Sequence, residues 1–159
     1  MSLVLIYLAA IVAANLLAAH FGPWITPVNA FLLIGLSLTT RDPLHDRWTH
    51  RGLAWKMPLL ILAGALLTAL LCPSAGHIAR ASVIAFAASA ATDTVAYALL
   101  QHRPRPVRVN GSNTASAIID SLLFPTIAFG TFLPAIVATH AAAKIAGGFL
   151  WSLMLCRGE

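Results

Sequence analysis

Long apolar runs alternate with short polar segments along all 159 residues of the chain. A membrane-spanning α-helix needs about 20 mostly apolar residues, and each run is close to that length. We therefore predict six transmembrane helices, at residues 3–19, 24–40, 53–71, 78–100, 112–129 and 133–156. The predicted fold class is an all-α membrane protein with about six transmembrane helices, in which residues 1–159 form a single domain.

The amino-acid composition indicates lipid rather than water as the solvent of these helices. Hydrophobic residues make up 59% of the chain and charged residues 9%, whereas a soluble domain has about 25% charged residues. The six helices leave almost no residues for a soluble catalytic domain, so we do not expect an enzyme. The first apolar run has no basic residue before it, so we interpret it as a membrane helix and not as a cleaved signal peptide.

Basic residues are unevenly distributed among the segments between the predicted helices. The formal net charge is +5, which in a soluble protein would suggest nucleic acid as a partner. Here the basic residues flank apolar runs, as they do in cytoplasmic membrane loops. The segments after helices 2 and 4 hold Arg41, Arg47, Arg51, Lys56, Arg103, Arg105 and Arg108. We therefore predict cytoplasmic termini, a basic linker at 101–108 and no nucleic-acid binding.

The segment 41–51 is the longest polar connection between the predicted helices. Asp42 precedes Pro43, which is typical of a helix N-cap, so we predict a short amphipathic helix at the membrane surface. His45 and His50 lie in this solvated basic segment, and we expect neither a metal site nor a cofactor there or elsewhere.

Three ionisable side chains fall inside the predicted membrane helices: Asp93 in helix 4, Asp120 in helix 5 and Lys144 in helix 6. An ionised group at the bilayer centre costs about 2.5–3.5 kcal/mol on insertion scales. Such groups are therefore expected to face one another, water or a ligand. Helices 4 and 5 run antiparallel about one linker, which puts both aspartates about 11 Å into the membrane. We expect them to form a shared polar layer.

Other polar and aromatic residues repeat at helical spacing beside these charges. The pattern Ser-x-x-x-Asp-x-x-x-aromatic occurs in both helix 4 and helix 5. At about 100° per residue, such positions share one helix face. We therefore predict a polar cavity lined mainly by helices 4–6. Its candidate substrate-binding residues are Phe86, Ser89, Asp93, Tyr97, Asn113, Ser116, Asp120, Phe124, His140, Lys144 and, from helix 1, Asn15.

Two structural interpretations of these residues stay open. Serine and asparagine in membrane helices often serve only helix packing. Lys144 and one aspartate could form a purely structural ion pair. One lysine cannot neutralise both Asp93 and Asp120, however, so one carboxylate is left for a proton, a cation or a substrate donor.

The ordered set of these residues resembles the queuosine precursor transporters, also called the VUT family. The resemblance covers nearly the whole chain and rests on Asn15, Arg41-Asp42, Asp46-Arg47, Ser89, Asp93, Tyr97, Ser112-Asn113, Asp120-Ser121, Phe124 and Lys144. The chain departs from the family pattern at Ala90, where an acidic residue is expected, and at His140, where many relatives have glutamine.

The resemblance implies import of queuosine precursors, the 7-deazaguanine bases preQ0 and preQ1, across the bacterial inner membrane by a multi-pass protein. It also implies a helix arrangement similar to the substrate-binding subunits of energy-coupling-factor (ECF) vitamin importers. A carboxylate can accept both N–H groups of a guanine-like edge, Asn113 or Lys144 can donate to the ring carbonyl, and an aromatic ring can stack on the base. The expected partners are a purine-like small molecule and the lipid bilayer, and a transporter of this size can form a homodimer.

Two other functions fit parts of the pattern. A binding subunit that works only with a separate energising complex would dock through small residues. Helix 1 carries such a face, at Ala9, Ala10, Ala13, Ala14 and Ala18. An intramembrane aspartyl protease would use Asp93 and Asp120 as a dyad, but the expected Gly-x-Gly-Asp signature is absent because Ala91 and Thr92 precede Asp93.

Overall fold

Helices are the only regular secondary structure in the described part of the chain. The computed structural model describes residues 2–37, 40, 44, 48 and 52–155. Its helices are α1 (Ser2–Phe21), α2 (Pro23–Ser37), α3 (Leu53–Leu71), α4 (Pro73–Leu99), α5 (Arg105–Phe129) and α6 (Pro134–Leu155). The predicted all-α fold with six helices is confirmed for these residues. The predicted surface helix in 41–51 lies outside the described residues, apart from Leu44 and Trp48.

Apolar side chains face outward on the long helices. By length and composition, Leu3–Phe21 and Pro73–Leu99 are able to cross a bilayer, whereas the apolar helices Pro23–Ser37 and Trp55–Leu71 are shorter. On α3, large side chains more than half exposed recur every three or four residues, at Trp55, Leu59, Leu62, Leu66 and Leu70. Such a stripe is favourable in hydrocarbon and unfavourable in water. The chain is therefore a membrane protein.

The start of α5 differs from the prediction. This helix begins at Arg105, seven residues before the predicted start at residue 112. Pro104 has an extended ψ of 144° immediately before the helix, and a second proline lies in its first turn, where a missing N–H breaks no helical hydrogen bond. The predicted linker at 101–108 is therefore wrong in its second half, because the prolines there begin a helix.

One stripe of alanines on α1 points into the protein. Its buried alanines are Ala10, Ala14 and Ala18. The Asn29 amide of α2 donates to the Ala14 carbonyl at 3.0 Å, and the Asn15 amide donates to Thr68 Oγ1 of α3 at 3.4 Å. Small residues let membrane helices approach, and buried amides join them. Three of the five alanines of this face are therefore packed inside the protein, while Ala9 is exposed.

Helices α2 and α6 pack with almost no side chain between their backbones. The middle of α2, Ala30–Ile34, is a π-helix. A Cβ added to Gly35 would lie 2.7 Å from the carbonyl carbon of Gly147, and one added to Gly147 would lie 2.8 Å from Phe31 Cα. Glycine at both positions permits this approach. The contact fixes the position of α6, which carries the predicted site residues His140 and Lys144.

Candidate functional site

The hairpin of α4 and α5 sets the depth of the two aspartates. Near its turn, a Cβ added to Gly111 would lie 2.6 Å from Leu100 Cδ1, so the two helices are in close contact there. Asp93 lies seven residues before Leu100, and Asp120 lies nine residues after Gly111. At 1.5 Å per residue these separations are about 10 and 13 Å along the helices. The two carboxylates therefore differ in depth by about 3 Å.

Two contacts between α5 and α6 lie one helical turn apart. The Lys144 ammonium donates to Asp120 Oδ2 in an ion pair, and the two side chains are only 9% and 17% exposed, respectively. The rings of Phe124 and His140 lie with centroids 5.9 Å apart and planes tilted by 38°. Because the members of each helix are four residues apart, one face of α5 meets one face of α6. The predicted residues Asp120, Phe124, His140 and Lys144 are thus brought together.

Each of the helices α4, α5 and α6 contributes one buried polar atom without a hydrogen-bond partner among the described residues. These atoms are Asp93 Oδ1, Ser121 Oγ and His140 Nδ1. Leaving a polar group buried and unpaired costs about 1–3 kcal/mol, and native structures contain few such groups. Helix α5 packs against both α4 and α6, so these unpaired atoms make the three helices a candidate site for a polar ligand.

The predicted serines use their hydroxyl protons within their own helices. Ser89 Oγ donates to the Phe86 carbonyl at 3.0 Å, and Ser116 Oγ donates to the Asn113 carbonyl at 3.0 Å. Each hydroxyl oxygen keeps lone pairs that can accept a further hydrogen bond. The two serines therefore offer acceptors, not donors, to a solute in this conformation.

Four predicted residues do not take part in the contacts around Asp120 and Lys144. Asn113 is exposed, and Tyr97 is 39% exposed. Phe86 packs against the apolar cluster around Tyr7. Asn15 binds α3, as described above. These positions share helix faces in sequence, but the packing of the helices gives their side chains different neighbours.

Ser121 was not among the predicted binding residues. It is fully buried, as is Pro125 four residues later. Proline has no N–H, so the carbonyl four residues before it loses its usual helical donor. The sequence signal is therefore a serine at this spacing before an intrahelical proline, beside a membrane aspartate.

The charges of this region are unequal in number. Asp120 and Lys144 form an ion pair, so their charges cancel. Asp93 adds a second carboxylate on the neighbouring helix. Within the described ranges, no three His, Cys, Asp or Glu side chains come close enough to hold a metal ion. Asp93 Oδ1 keeps an acceptor without a partner among the described residues.

The family relationship covers the helices that form this site. The family described as "Putative vitamin uptake transporter" matches residues 2–156. No curated protein and no solved structure matches the chain. The family match includes all of α1–α6 and agrees with the resemblance to the VUT family. The chain therefore belongs to the vitamin uptake transporter (VUT) family.

Proposed function

We propose that this protein is a multi-pass importer of the bacterial inner membrane and that its substrates are the queuosine precursors preQ0 and preQ1. Family membership supports uptake of a small molecule, and the apolar stripe on α3 supports insertion into lipid. All six helices cross the bilayer, with both termini in the cytoplasm. The substrate binds between α4, α5 and α6.

The observation that carries this proposal is the Asp93 carboxylate oxygen, which is buried without a partner in the described structure. Asp120 is already neutralised by Lys144, so Asp93 is the acid that can accept new hydrogen bonds. A 7-deazaguanine offers a ring N–H and an exocyclic amine side by side, and one carboxylate accepts both. Lys144 donates to the adjacent ring carbonyl, and Phe124 stacks on the base.

The remaining predicted residues have secondary roles in this proposal. Ser89, Ser116 and His140 complete the polar lining. Asn113 and Tyr97 contact the substrate as it leaves the site toward the cytoplasm. Asn15 and Phe86 shape the cavity through the helices that they hold.

The Asp93→Asn substitution is expected to lower uptake of labelled preQ0 about 10–100-fold. Asparagine keeps the size of the side chain but loses the charge and one acceptor, and a hydrogen bond to a charged group contributes about 1.5–3 kcal/mol. Uptake is measured in bacterial cells that cannot make or import the base, with the variant supplied from a plasmid. Asp120→Asn is expected to lower uptake as well, because it releases Lys144 from its partner.

Thr94→Val is the matched control for the uptake experiment. Thr94 is adjacent to Asp93 but exposed, and its hydroxyl donates to the Ala90 carbonyl of its own helix at 2.9 Å. Uptake by this variant should equal that of the wild type at equal protein abundance in the membrane. Wild-type uptake by both Asp93→Asn and Asp120→Asn would exclude a direct role for the two carboxylates.

Cys72 provides a test of the proposed topology. It lies between α3 and α4, on the side opposite the cytoplasmic termini in this proposal, and its Sγ lies 3.1 Å from Ser74 Oγ. That hydrogen bond, together with the nearby backbone N–H groups, lowers the pKa of the Cys72 thiol. A membrane-impermeant maleimide is therefore expected to label a Cys156→Ser protein in intact spheroplasts. Labelling should reach its maximal rate at a lower pH than for an ordinary thiol, since the thiolate is the nucleophile.

The Cys72→Ser protein, which keeps Cys156 at the proposed cytoplasmic end, should be labelled only after the membrane is permeabilised. Ser74→Ala should shift the labelling profile of Cys72 to higher pH, because it removes the largest cause of the lowered pKa. Labelling of Cys156 before permeabilisation, with Cys72 protected, would show that the topology is the opposite of the proposed one.

Two observations favour an importer that acts without an energising complex and without proteolysis. Most of the alanine face of α1 is buried inside the protein, so it is not free to dock an ECF module. Asp120 is paired with Lys144, whereas an aspartyl protease needs two carboxylates that share one proton. Uptake of preQ0 in cells that lack energising modules would support the autonomous importer.

A further inference from the structure

We infer that Ser121 is a further substrate-binding residue and that it selects a free base whose pyrrole N–H is unsubstituted. This inference rests on the proposed function. Ser121 is 0% exposed, and its hydroxyl has no hydrogen-bond partner within the part of the chain that the structure describes. Most serines in membrane helices satisfy their hydroxyl on their own helix, as Ser89 and Ser116 do here.

The Ser121 backbone adds a second polar group at the same place. Pro125 lies inside α5 and is itself fully buried. Because proline has no N–H, the Ser121 carbonyl lacks its usual donor four residues later. One residue therefore offers an acceptor, its carbonyl, and a hydroxyl that can donate.

The position of Ser121 connects it to the proposed base site. It directly follows Asp120, whose carboxylate binds Lys144. Counted from the contact of Leu100 with Gly111, Ser121 lies ten residues along α5 and Asp93 seven residues along α4, a difference in depth of about 5 Å. A bicyclic base held by Asp93 and Lys144 can therefore extend its next edge to Ser121.

The chemistry of that edge matches the two groups of Ser121. Beside the edge that Asp93 holds, a 7-deazaguanine presents a pyrimidine nitrogen that accepts and a pyrrole N–H that donates. The Ser121 hydroxyl donates to the pyrimidine nitrogen, and the Ser121 carbonyl accepts from the pyrrole N–H. In a nucleoside the ribose replaces that hydrogen, which removes the donor and adds bulk at a fully buried position. The site therefore takes the free base and rejects the nucleoside.

Full burial of Ser121 is consistent with a transport cycle. A transporter exposes its site to each side of the membrane in turn, so a residue covered in one conformation becomes accessible in another. A serine with a purely structural role makes a different prediction, because replacing an unpaired buried hydroxyl with hydrogen is neutral or stabilising and leaves ligand binding unchanged.

Calorimetric titration of the purified full-length protein in detergent tests the inference. Ser121→Ala is expected to bind preQ0 about 10-fold more weakly than the wild type, since a site that hydrogen-bonds a substrate group loses that bond. Its melting temperature without ligand should be unchanged or higher. The wild type should bind preQ0 at least about 10-fold more tightly than preQ0 methylated on the pyrrole nitrogen. Ser121→Ala should keep this ratio because it keeps the backbone carbonyl, and Pro125→Ala should lower it. Pro125→Ala restores the helical donor to the carbonyl and should weaken preQ0 binding similarly.

Thr139→Val is the control, because the Thr139 hydroxyl is exposed and donates to the Ala135 carbonyl at 2.7 Å; this variant should bind preQ0 as the wild type does. Wild-type affinity in Ser121→Ala, or equal binding of preQ0 and its methylated form by the wild type, would overturn the inference. If the inference fails in either way but Asp93→Asn binds preQ0 weakly, the proposed function still holds without a role for Ser121. Absence of preQ0 binding by the wild type would overturn both.

Discussion

Replacing Lys144 with methionine is expected to lower the free energy of unfolding by about 3–5 kcal/mol. The ammonium pairs with Asp120, and both side chains are largely buried. Methionine fills a similar volume but leaves the carboxylate without a counter-charge in a region of low dielectric constant, where an unpaired charge is strongly unfavourable. Equilibrium unfolding in mixed micelles, followed by the fluorescence of the four tryptophans, measures this loss.

The double variant Asp120→Leu/Lys144→Met separates the structural role of the pair from its role in transport. With both charges gone, no carboxylate is left uncompensated, so most of the lost stability should return. Uptake of preQ0 by the double variant should be no higher than uptake by Lys144→Met, because both proteins lack the donor to the ring carbonyl. If the double variant recovered both stability and uptake, the ion pair would have a structural role only. If Lys144→Met lowered the free energy of unfolding by less than about 1 kcal/mol, the result would contradict the burial of the ion pair.

Replacing Gly147 with alanine is the change expected to have the second largest effect. The new Cβ would lie 2.8 Å from Phe31 Cα, and because the obstacle is backbone, it cannot rotate away as a side chain can. Overpacking of this kind costs about 1–3 kcal/mol, and occasionally more. The two helices are expected to separate, which moves His140 and Lys144 on α6 relative to α5. We therefore expect both lower stability and at least a 10-fold loss of preQ0 uptake.

Gly76→Ala is the matched control for this substitution. Gly76 is also helical, but a Cβ at this position would meet no atom within 4 Å. Alanine is the better helix former by about 1 kcal/mol, so this variant should be as stable as the wild type or slightly more stable. Equal behaviour of the Gly76 and Gly147 variants in unfolding experiments would exclude the close contact between α2 and α6.

The polar groups of the site are placed where they do not benefit stability. Asp93, Ser121 and His140 each keep a buried atom without a partner among the residues described, whereas the buried side chains of Asn15, Asn29 and Thr68 are hydrogen-bonded. A sequence selected only for stability would replace such groups with apolar ones. Their presence on α4, α5 and α6 is the reason to look for a ligand there.

The sequence predicted the helices and the facing residues of α5 and α6 better than the local surroundings of each side chain. The spacing of Asp120 with Phe124 and of His140 with Lys144 indicated one face on each helix, and these faces meet. The start of α5 was mispredicted because proline is favourable in the first turn of a helix and unfavourable inside it. Periodicity alone cannot tell those two positions apart.

The sequence by itself determined that this chain resides in the lipid bilayer, because apolar runs of this length have no other stable environment. It also determined that the chain is helical, because a backbone in lipid must satisfy its own hydrogen bonds. It also determined that the predicted membrane helices hold two aspartates but a single lysine, so one carboxylate has no lysine to pair with. Only the tertiary structure decided that Lys144 pairs with Asp120 and that Asp93 Oδ1 stays without a hydrogen-bond partner among the described residues. It likewise decided that Asn15 binds Thr68 and that Ser121 is unpaired. These outcomes depend on which helices touch, and that depends on contacts between distant residues, such as Gly35 with Gly147, which periodicity along one helix does not encode.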